Sequence, residues 1–258
     1  MINKNIAVVV RGRWNKKGNI KVGRVWTWST LAGDCVFMTD YGPVRGTCAG
    51  CCQHCGHPKQ GKKRPPCYVF KSYRHKSVIK GHARNTLAMR ENPRECFSEL
   101  SAQIRRAKNK PVVCRFDQSG EIENSEQFDA MTICPNEHRT IDFYIYSKKY
   151  GIMTEAHNSG KVPENFTTLY SIWHDQGLAE YLAVAHLPNV KAFVYCDKNT
   201  DPVNGWGPEE YAARGLIITT WCKAYDEHGK LDHNITCEKC TKCFNRLASC
   251  KVIGTWDH

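Results

Sequence analysis

Three cysteines are spaced for cluster chemistry: Cys48-x3-Cys52-x2-Cys55. They lie in a stretch from Thr47 to Arg74 that holds five of the fifteen cysteines. Thiolates so spaced can wrap a loop around one face of a cubane iron–sulfur cluster and hold three of its irons, which leaves the last iron open to a small ligand. An open coordination position separates a catalytic metal centre from a closed structural one. The competing expectation is a zinc knuckle built from four of Cys48, Cys51, Cys52, Cys55 and Cys67.

A second thiol trio, Cys237-x2-Cys240-x2-Cys243, sits in a polar, cysteine-dense tail that begins at Cys222. Cys222 is the expected fourth ligand and Cys250 its competitor. Four thiolates close a site completely, so the tail is expected to hold a structural zinc or an auxiliary 4Fe–4S cluster. The C-x2-C-x2-C run favours iron–sulfur. Cys96, Cys114, Cys134 and Cys196 stand among apolar residues and read as small core side chains; Cys51 and Cys67 read as packing thiols.

Such loops need strands and helices to hold them. Val22–Ser29, Val112–Asp117, Ile141–Ser147, Thr167–Trp173, Val190–Cys196 and Leu216–Trp221 read as six strands, rich in β-branched and aromatic residues, with Ile6–Val10 as a further short one. Ser77–Met89, a segment opened by Pro93, Ser125–Met131 and Leu178–Ala185 read as helices. In the second of these, Phe97, Leu100, Ile104 and Ala107 make an apolar stripe. Gly42, Pro43, Gly46 and Gly50 are expected to keep the segment between them irregular. Strands alternating with helices imply βα units and a parallel sheet, with the chemistry at the carboxyl ends of the strands.

Position alone then nominates further residues. Arg115 and Asp117 alternate along a strand and should point the same way, where two opposite charges are costly unless paired or used. That makes both substrate-contact candidates and Asp117 a candidate catalytic group; the alternative is a structural pair on the helix-facing side. Lys148 and His174 follow strand ends and are candidate catalytic groups, with Asp197 and Lys198 weaker ones.

The chain has 258 residues, a formal charge of +12 and a pI near 9. That length suits one α/β domain. Basic clusters at Lys59–Arg64, Lys71–Lys80 and Arg105–Lys110 make a nucleic acid or a phosphorylated substrate a candidate partner, although no nucleic-acid-binding motif accompanies them. No apolar run is long enough to span a bilayer, and Ile6–Val10 is too short for a secretory segment. The expectation is a cytoplasmic protein whose many thiols serve metals rather than disulfides.

The Cys48/Cys52/Cys55 spacing resembles the signature of radical S-adenosylmethionine (SAM) enzymes, with His54 where that signature usually has an aromatic. Several stretches in order widen the resemblance: TCAGCCQHC followed by CYVFKSYR, GHARNT at Gly81–Thr86, RFDQSGEI at Arg115–Ile122, FYIYSKKY at Phe143–Tyr150, SIWH at Ser171–His174, and CEKCTKCFN preceded by Cys222. Together they resemble the phage gene-product-eighty-eight-like family of radical-SAM-type barrel proteins, over nearly the whole chain. Cys51 and an insertion at Gly56–Pro66 depart from that pattern.

The resemblance implies a partial (βα)6 TIM-like barrel over residues 22–221, with a cluster loop at 47–74, an N-terminal extension at 1–21 and a cysteine-rich appendix at 222–258. Ser119, Gly120 and Glu121 would stand in for the Gly-Gly-Glu that holds the SAM amino group. Ser171 resembles a position that contacts the SAM ribose, and Arg115 is a further SAM-contact candidate. The implied reaction is reductive cleavage of SAM, with an external electron donor, to a 5′-deoxyadenosyl radical that takes a hydrogen from an unknown substrate. The alternative is a non-catalytic, zinc- or cluster-stabilised nucleic-acid-binding protein of phage type. A third reading is a redox protein whose clusters only carry electrons.

Overall fold

The computed structural model describes residues 10–17, 25–49, 68–172, 175–196, 206–223, 234–245 and 249–256. Its strands are β1 (Trp26–Thr27), β2 (Val36–Thr39), β3 (Gly42–Arg45), β4 (Val113–Phe116), β5 (Asp142–Ser147), β6 (Phe166–Ile172), β7 (Val190–Cys196), β8 (Thr220–Trp221) and β9 (Val252–Trp256). Its helices are α1 (Lys76–Glu91), α2 (Pro93–Arg106), α3 (Ser125–Met131), α4 (Ile133–Glu137), α5 (Tyr150–Asn158), α6 (Leu178–Val184), α7 (Pro208–Ala212) and α8 (Cys237–Cys240), with a 3-10 turn at Tyr68–Arg74.

Seven strands form one sheet in the order β1-β4-β5-β6-β7-β9-β8, and every strand pair in it is parallel. At the β1 edge, Asn15 makes an isolated antiparallel bridge to Thr27. The fold is mixed α/β with a parallel sheet, and no closed barrel is found: β1 and β8 are opposite edges of the sheet among the described residues.

Two expectations are corrected here. Among the described residues the sheet has seven strands, not six, because β9, placed by sequence in a cysteine-rich appendix, lies between β7 and β8. The first part of the segment expected to be irregular, Gly42–Arg45, is instead one strand of a hairpin, in which Val36 pairs with Arg45 and Thr39 with Gly42, the glycine supplying the positive φ of the turn. Residues 46–49 are irregular as expected.

Period-two alternation along the strands sorts side chains onto two unlike faces. One face carries Phe116, Phe143, Phe166, Ala192 and Val194, which bury against residues of α1 to α7 such as Met89, Leu100, Phe128, Met153, Tyr181 and Tyr211. The opposite face carries Val113, Tyr144, Leu169 and Ile253 and is packed by Phe244, Cys222, Cys237 and Cys243. Among the described residues, helices α1 to α7 thus pack against one face of the sheet, where a doubly wound sheet would place helices on both.

Local sequence explains the helix ends. Asn92 caps α2 by accepting from Glu95 N–H at 3.0 Å, and Pro93 occupies the first turn, where no amide donor is needed. Phe97, Leu100 and Ile104 of the expected stripe are fully buried. Asn124 caps α3 in the same way through Gln127 N–H.

Candidate functional site

Polar residues gather where β1, β4 and β5 end. After β1 the chain continues as Trp28-Ser29-Thr30-Leu31-Ala32, and after β4 as Asp117-Gln118-Ser119-Gly120-Glu121. The two loops are sewn together: Thr30 N–H donates to the Ser119 carbonyl at 2.9 Å, and Ser119 Oγ donates back to the Thr30 carbonyl at 3.2 Å. Thr47, one residue before Cys48, completes the knot. Its hydroxyl donates to the Leu31 carbonyl at 3.0 Å, accepts from Glu121 N–H at 2.8 Å and lies 3.1 Å from Thr30 Oγ1. Cys48 N–H donates to the Gly33 carbonyl at 3.1 Å. The start of the cysteine loop is therefore fixed beside the Ser119-Gly120-Glu121 turn. Cys48 itself is buried among Leu31, Val69 and Tyr73.

Gly120 is the residue that lets these loops meet. It has φ of +86°, and a Cβ there would lie 1.9 Å from Thr30 Oγ1 and 2.8 Å from Thr47 Oγ1. Only glycine fits so close an approach of backbone to side chain.

Two carboxyl groups meet in this region. Glu121 Oε2 accepts from Ser147 Oγ at 2.6 Å and Oε1 from Lys148 N–H at 3.1 Å, both at the end of β5. Burial raises the Glu121 carboxyl above its ordinary value, and the Lys148 charge opposes that rise. Asp117 is buried with φ of +44°, an uncommon backbone for a non-glycine residue. Its Oδ1 accepts from Thr30 Oγ1 at 3.3 Å, while Oδ2 has no hydrogen-bond partner among the described residues. Burial pushes its carboxyl well above the ordinary carboxylate range, and the neighbouring Glu121 adds to the rise.

The expected alternation of Arg115 and Asp117 is corrected: the left-handed backbone at Asp117 ends the strand geometry on which alternation rests. Arg115 stays in β4 with its guanidinium over the rings of Tyr146 at 4.5 Å and Tyr144 at 5.8 Å. Ser171 is half-buried in β6 and pairs with Phe193 of β7; its carbonyl accepts from Tyr150 O–H at 2.5 Å. Cys52, Cys55, Cys51, Cys67, His174, Asp197 and Lys198 lie outside the described residues.

The sequence did not single out Thr30, Thr47, Tyr73 or Ser147. Tyr73 Oη accepts from Ala32 N–H at 2.7 Å and lies 3.3 Å from both His82 Nδ1 and Ser119 Oγ. Burial pushes the His82 imidazole down to about 4, so it is neutral at ordinary pH. The available signal was a run of small hydroxyls in an apolar stretch, Trp28 to Ala32, which demands internal partners.

The second thiol group occupies the face opposite the helices. Thr236 caps α8 by accepting from Lys239 N–H at 3.3 Å, and Thr241 ends it with φ of +58°. Phe244 then stacks on Tyr144 at 5.3 Å, and its carbonyl accepts from Thr167 Oγ1 at 3.3 Å. Lys191, fully buried in β7, donates through Nζ to the Lys242 and Asn245 carbonyls at 2.6 and 2.8 Å. A lysine inside the apolar strand VKAFVYC was the sequence signal for this clamp, since a buried ammonium requires acceptors. Burial pushes the Cys243 thiol up to about 12, its bond with Tyr146 opposes this, and the charges of Cys222, Cys237 and Cys240 add to the rise. Those four thiols are thus electrostatic neighbours, whereas Cys250 lies 3.8 Å from Lys191 Nζ. Among the described residues, no three His, Cys, Asp or Glu side chains are close enough together to hold a metal ion as placed. The two observations concern different ranges: charges interact well beyond the bonding distance of a metal.

Cys96, Cys114, Cys134 and Cys196 are buried in the helix-side core. Among the described residues no helix is long and apolar enough to cross a membrane.

This is a parallel α/β protein with its polar knot at the carboxyl ends of the first three neighbouring strands. A family model described as Gene product 88 matches residues 12–246, and the chain belongs to that family. Nothing among curated proteins or solved structures matches it.

Proposed function

We propose that the chain is a radical-SAM-type iron–sulfur enzyme built on a partial (βα) barrel, with the phage-type Gene product 88 family as its setting. The observation that carries this reading is the bond from Glu121 N–H to Thr47 Oγ1. It holds the loop bearing Cys48 against the turn bearing the acidic residues, at the carboxyl edge of a sheet with helices on one face.

Cys48, Cys52 and Cys55 would hold the 4Fe–4S cluster. With SAM bound, that group supplies one-electron cleavage of the sulfonium. The chain's own residues do the rest. Asp117 Oδ2, buried and unpartnered among the described residues, is an acceptor suited to a cationic ligand such as an amino group. An arriving cation would also draw the Asp117 carboxyl back toward its charged form. Ser147 and the Lys148 backbone orient Glu121, and the Lys148 charge favours its ionised state. Arg115, over Tyr144 and Tyr146, and Ser171 line the face opposite the helices and would position substrate there. His174 would serve as a proton carrier.

The tail donor set of Cys222, Cys237, Cys240 and Cys243 fits a closed thiolate site, in which a second 4Fe–4S cluster or zinc would pin Phe244 and α8 to the sheet. An external reductant would supply the electron.

The test is anaerobic reconstitution with iron and sulfide, followed by SAM and dithionite. The expected result is brown protein that releases 5′-deoxyadenosine and methionine, with release abolished in Cys52→Ala while the circular dichroism spectrum is unchanged. Full activity in that variant would reject the ligand assignment. The charge of +12 favours one other reading, a metal-stabilised nucleic-acid-binding protein. Protein that takes up zinc but no iron, and binds DNA without cleaving SAM, would establish it.

A further inference from the structure

A cavity of about 140 Å³ opens at the β1 edge of the sheet, between β1, α1 and the segment around Trp14. Arg13 and Arg84 both line it, with Asn15, Gln118, His82 and Ser29 among the other walls, and no acidic side chain does. Arg84 is half-buried, and its Nε is fully buried without a hydrogen-bond partner among the described residues. No described carboxylate forms an ion pair with either arginine.

The two guanidiniums are held together by design of the backbone. Asn85, next to Arg84 on α1, accepts from Arg13 N–H at 2.9 Å and donates to the carbonyls of Arg13 and Ser29 at 3.2 and 2.9 Å. Trp14 is anchored by its indole N–H to the Leu100 carbonyl at 3.0 Å. Residue 13 therefore cannot drift away from α1, and the two positive charges face one space. Burial, and then the nearby Arg13 charge, disfavour the charged form of Arg84. A like-charge pair beside an unsatisfied buried donor is unfavourable on its own and becomes favourable once an anion enters. Guanidinium groups match the oxygens of phosphate with paired N–H donors, and the amides of Asn15 and Gln118 can add neutral hydrogen bonds.

We propose that this cavity is a phosphate-binding subsite, in which Arg13 and Arg84 take the phosphate group of a phosphorylated small molecule or of a nucleic-acid backbone. It stands one residue from Ser119 through Gln118, and His82 joins it to Tyr73. It thus borders the polar knot, and if the radical-SAM reading holds it is where the phosphate of the substrate sits. The subsite rests on its own residues, so protein purified in air, with no cluster, tests it independently of that reading.

Calorimetric titration of the full chain with inorganic phosphate, adenosine 5′-monophosphate, adenosine and a short single-stranded oligothymidylate reads it out. The expected result is saturable binding of at least one phosphate-bearing probe and none of adenosine. Arg84→Gln and Arg13→Gln should each weaken that binding by about tenfold or more, while exposed Lys110→Gln leaves it unchanged. Because each variant removes one of two like charges, its melting temperature in phosphate-free buffer should equal or exceed that of the wild type, which guards against loss by misfolding. Tightest binding of the monophosphate assigns a small-molecule ligand, and binding of the oligonucleotide alone assigns a phosphodiester; both support the subsite. Binding of no phosphate-bearing probe, or binding that Arg84→Gln and Arg13→Gln leave intact, overturns it.

Discussion

Replacing Gly120 with alanine tests the claim that the loops after β1 and β4 are held by close approach. The backbone there has φ of +86°, which costs an alanine about 1 to 2 kcal/mol. The new Cβ would stand 1.9 Å from Thr30 Oγ1, against ordinary contact at 3.4 Å or more, so Thr30 must move or the turn must lift away. Relieving such overpacking costs about 1 to 3 kcal/mol. Lifting the turn also breaks the bond from Glu121 N–H to Thr47 Oγ1, about 1 kcal/mol more. The total is about 3 to 6 kcal/mol, which at this chain length lowers the melting temperature by about 6 °C or more. Gly160→Ala is the control, because it shares a positive φ of +66° but has open space around it. It should lose only the backbone term of about 1 to 2 kcal/mol. Thermal and urea unfolding of both variants give the comparison. In the double variant Gly120→Ala with Thr30→Ala, the costs should be less than additive, since the clashing hydroxyl is gone. Equal losses in Gly120→Ala and Gly160→Ala would refute the reasoning.

Asp117→Asn should stabilise the protein at pH 7 and above. The folded carboxyl titrates well above its unfolded value, so its contribution is complete at low pH and is lost as pH rises through the folded value. Asparagine keeps the left-handed backbone; a gain that does not shrink toward pH 4 in a melting series would contradict this. Lys191→Met should raise hydrogen exchange across 237–245 and cost about 1 to 3 kcal/mol, because two carbonyls lose a buried donor; unchanged exchange there would remove the clamp from the account. Cys240→Ala should lower both bound metal and melting temperature, since closed metal sites contribute to folding; if neither changes, the tail thiols hold no metal.

The strands β4 to β7 were legible because each is a short run rich in β-branched and aromatic residues, mostly buried on both faces. Helix α2 was legible because Phe97, Leu100 and Ile104 repeat at the helical period between an asparagine cap and a closing pair of arginines. The hairpin was not, because its pairing partners Met38 and Pro43 carry no alternation and its outer side chains are exposed. Strand β9 was hidden because Val252 to Trp256 follows a polar, thiol-rich segment, and its burial comes wholly from neighbours distant in sequence. For the site, the sequence singled out Ser119, Gly120, Glu121 and Lys148 by position, and the structure brings Glu121 and Lys148 together through the Lys148 N–H. The hydroxyls of Thr30 and Thr47 were not, since their value lies in meeting each other across 17 residues of chain.

The placement of β9 has a consequence for synthesis. Among the described residues, β8 pairs with the sheet only through β9, which is encoded roughly 30 residues later. At ribosomal speeds, on the order of 2 to 6 s pass between the emergence of the two. During that interval the nascent chain presents β7 as a raw apolar border, with Thr220–Trp221 stranded outside it. An unpaired border of that kind is a template for a neighbouring copy. Crowded polysomes are therefore a condition that favours edge-to-edge association of this protein.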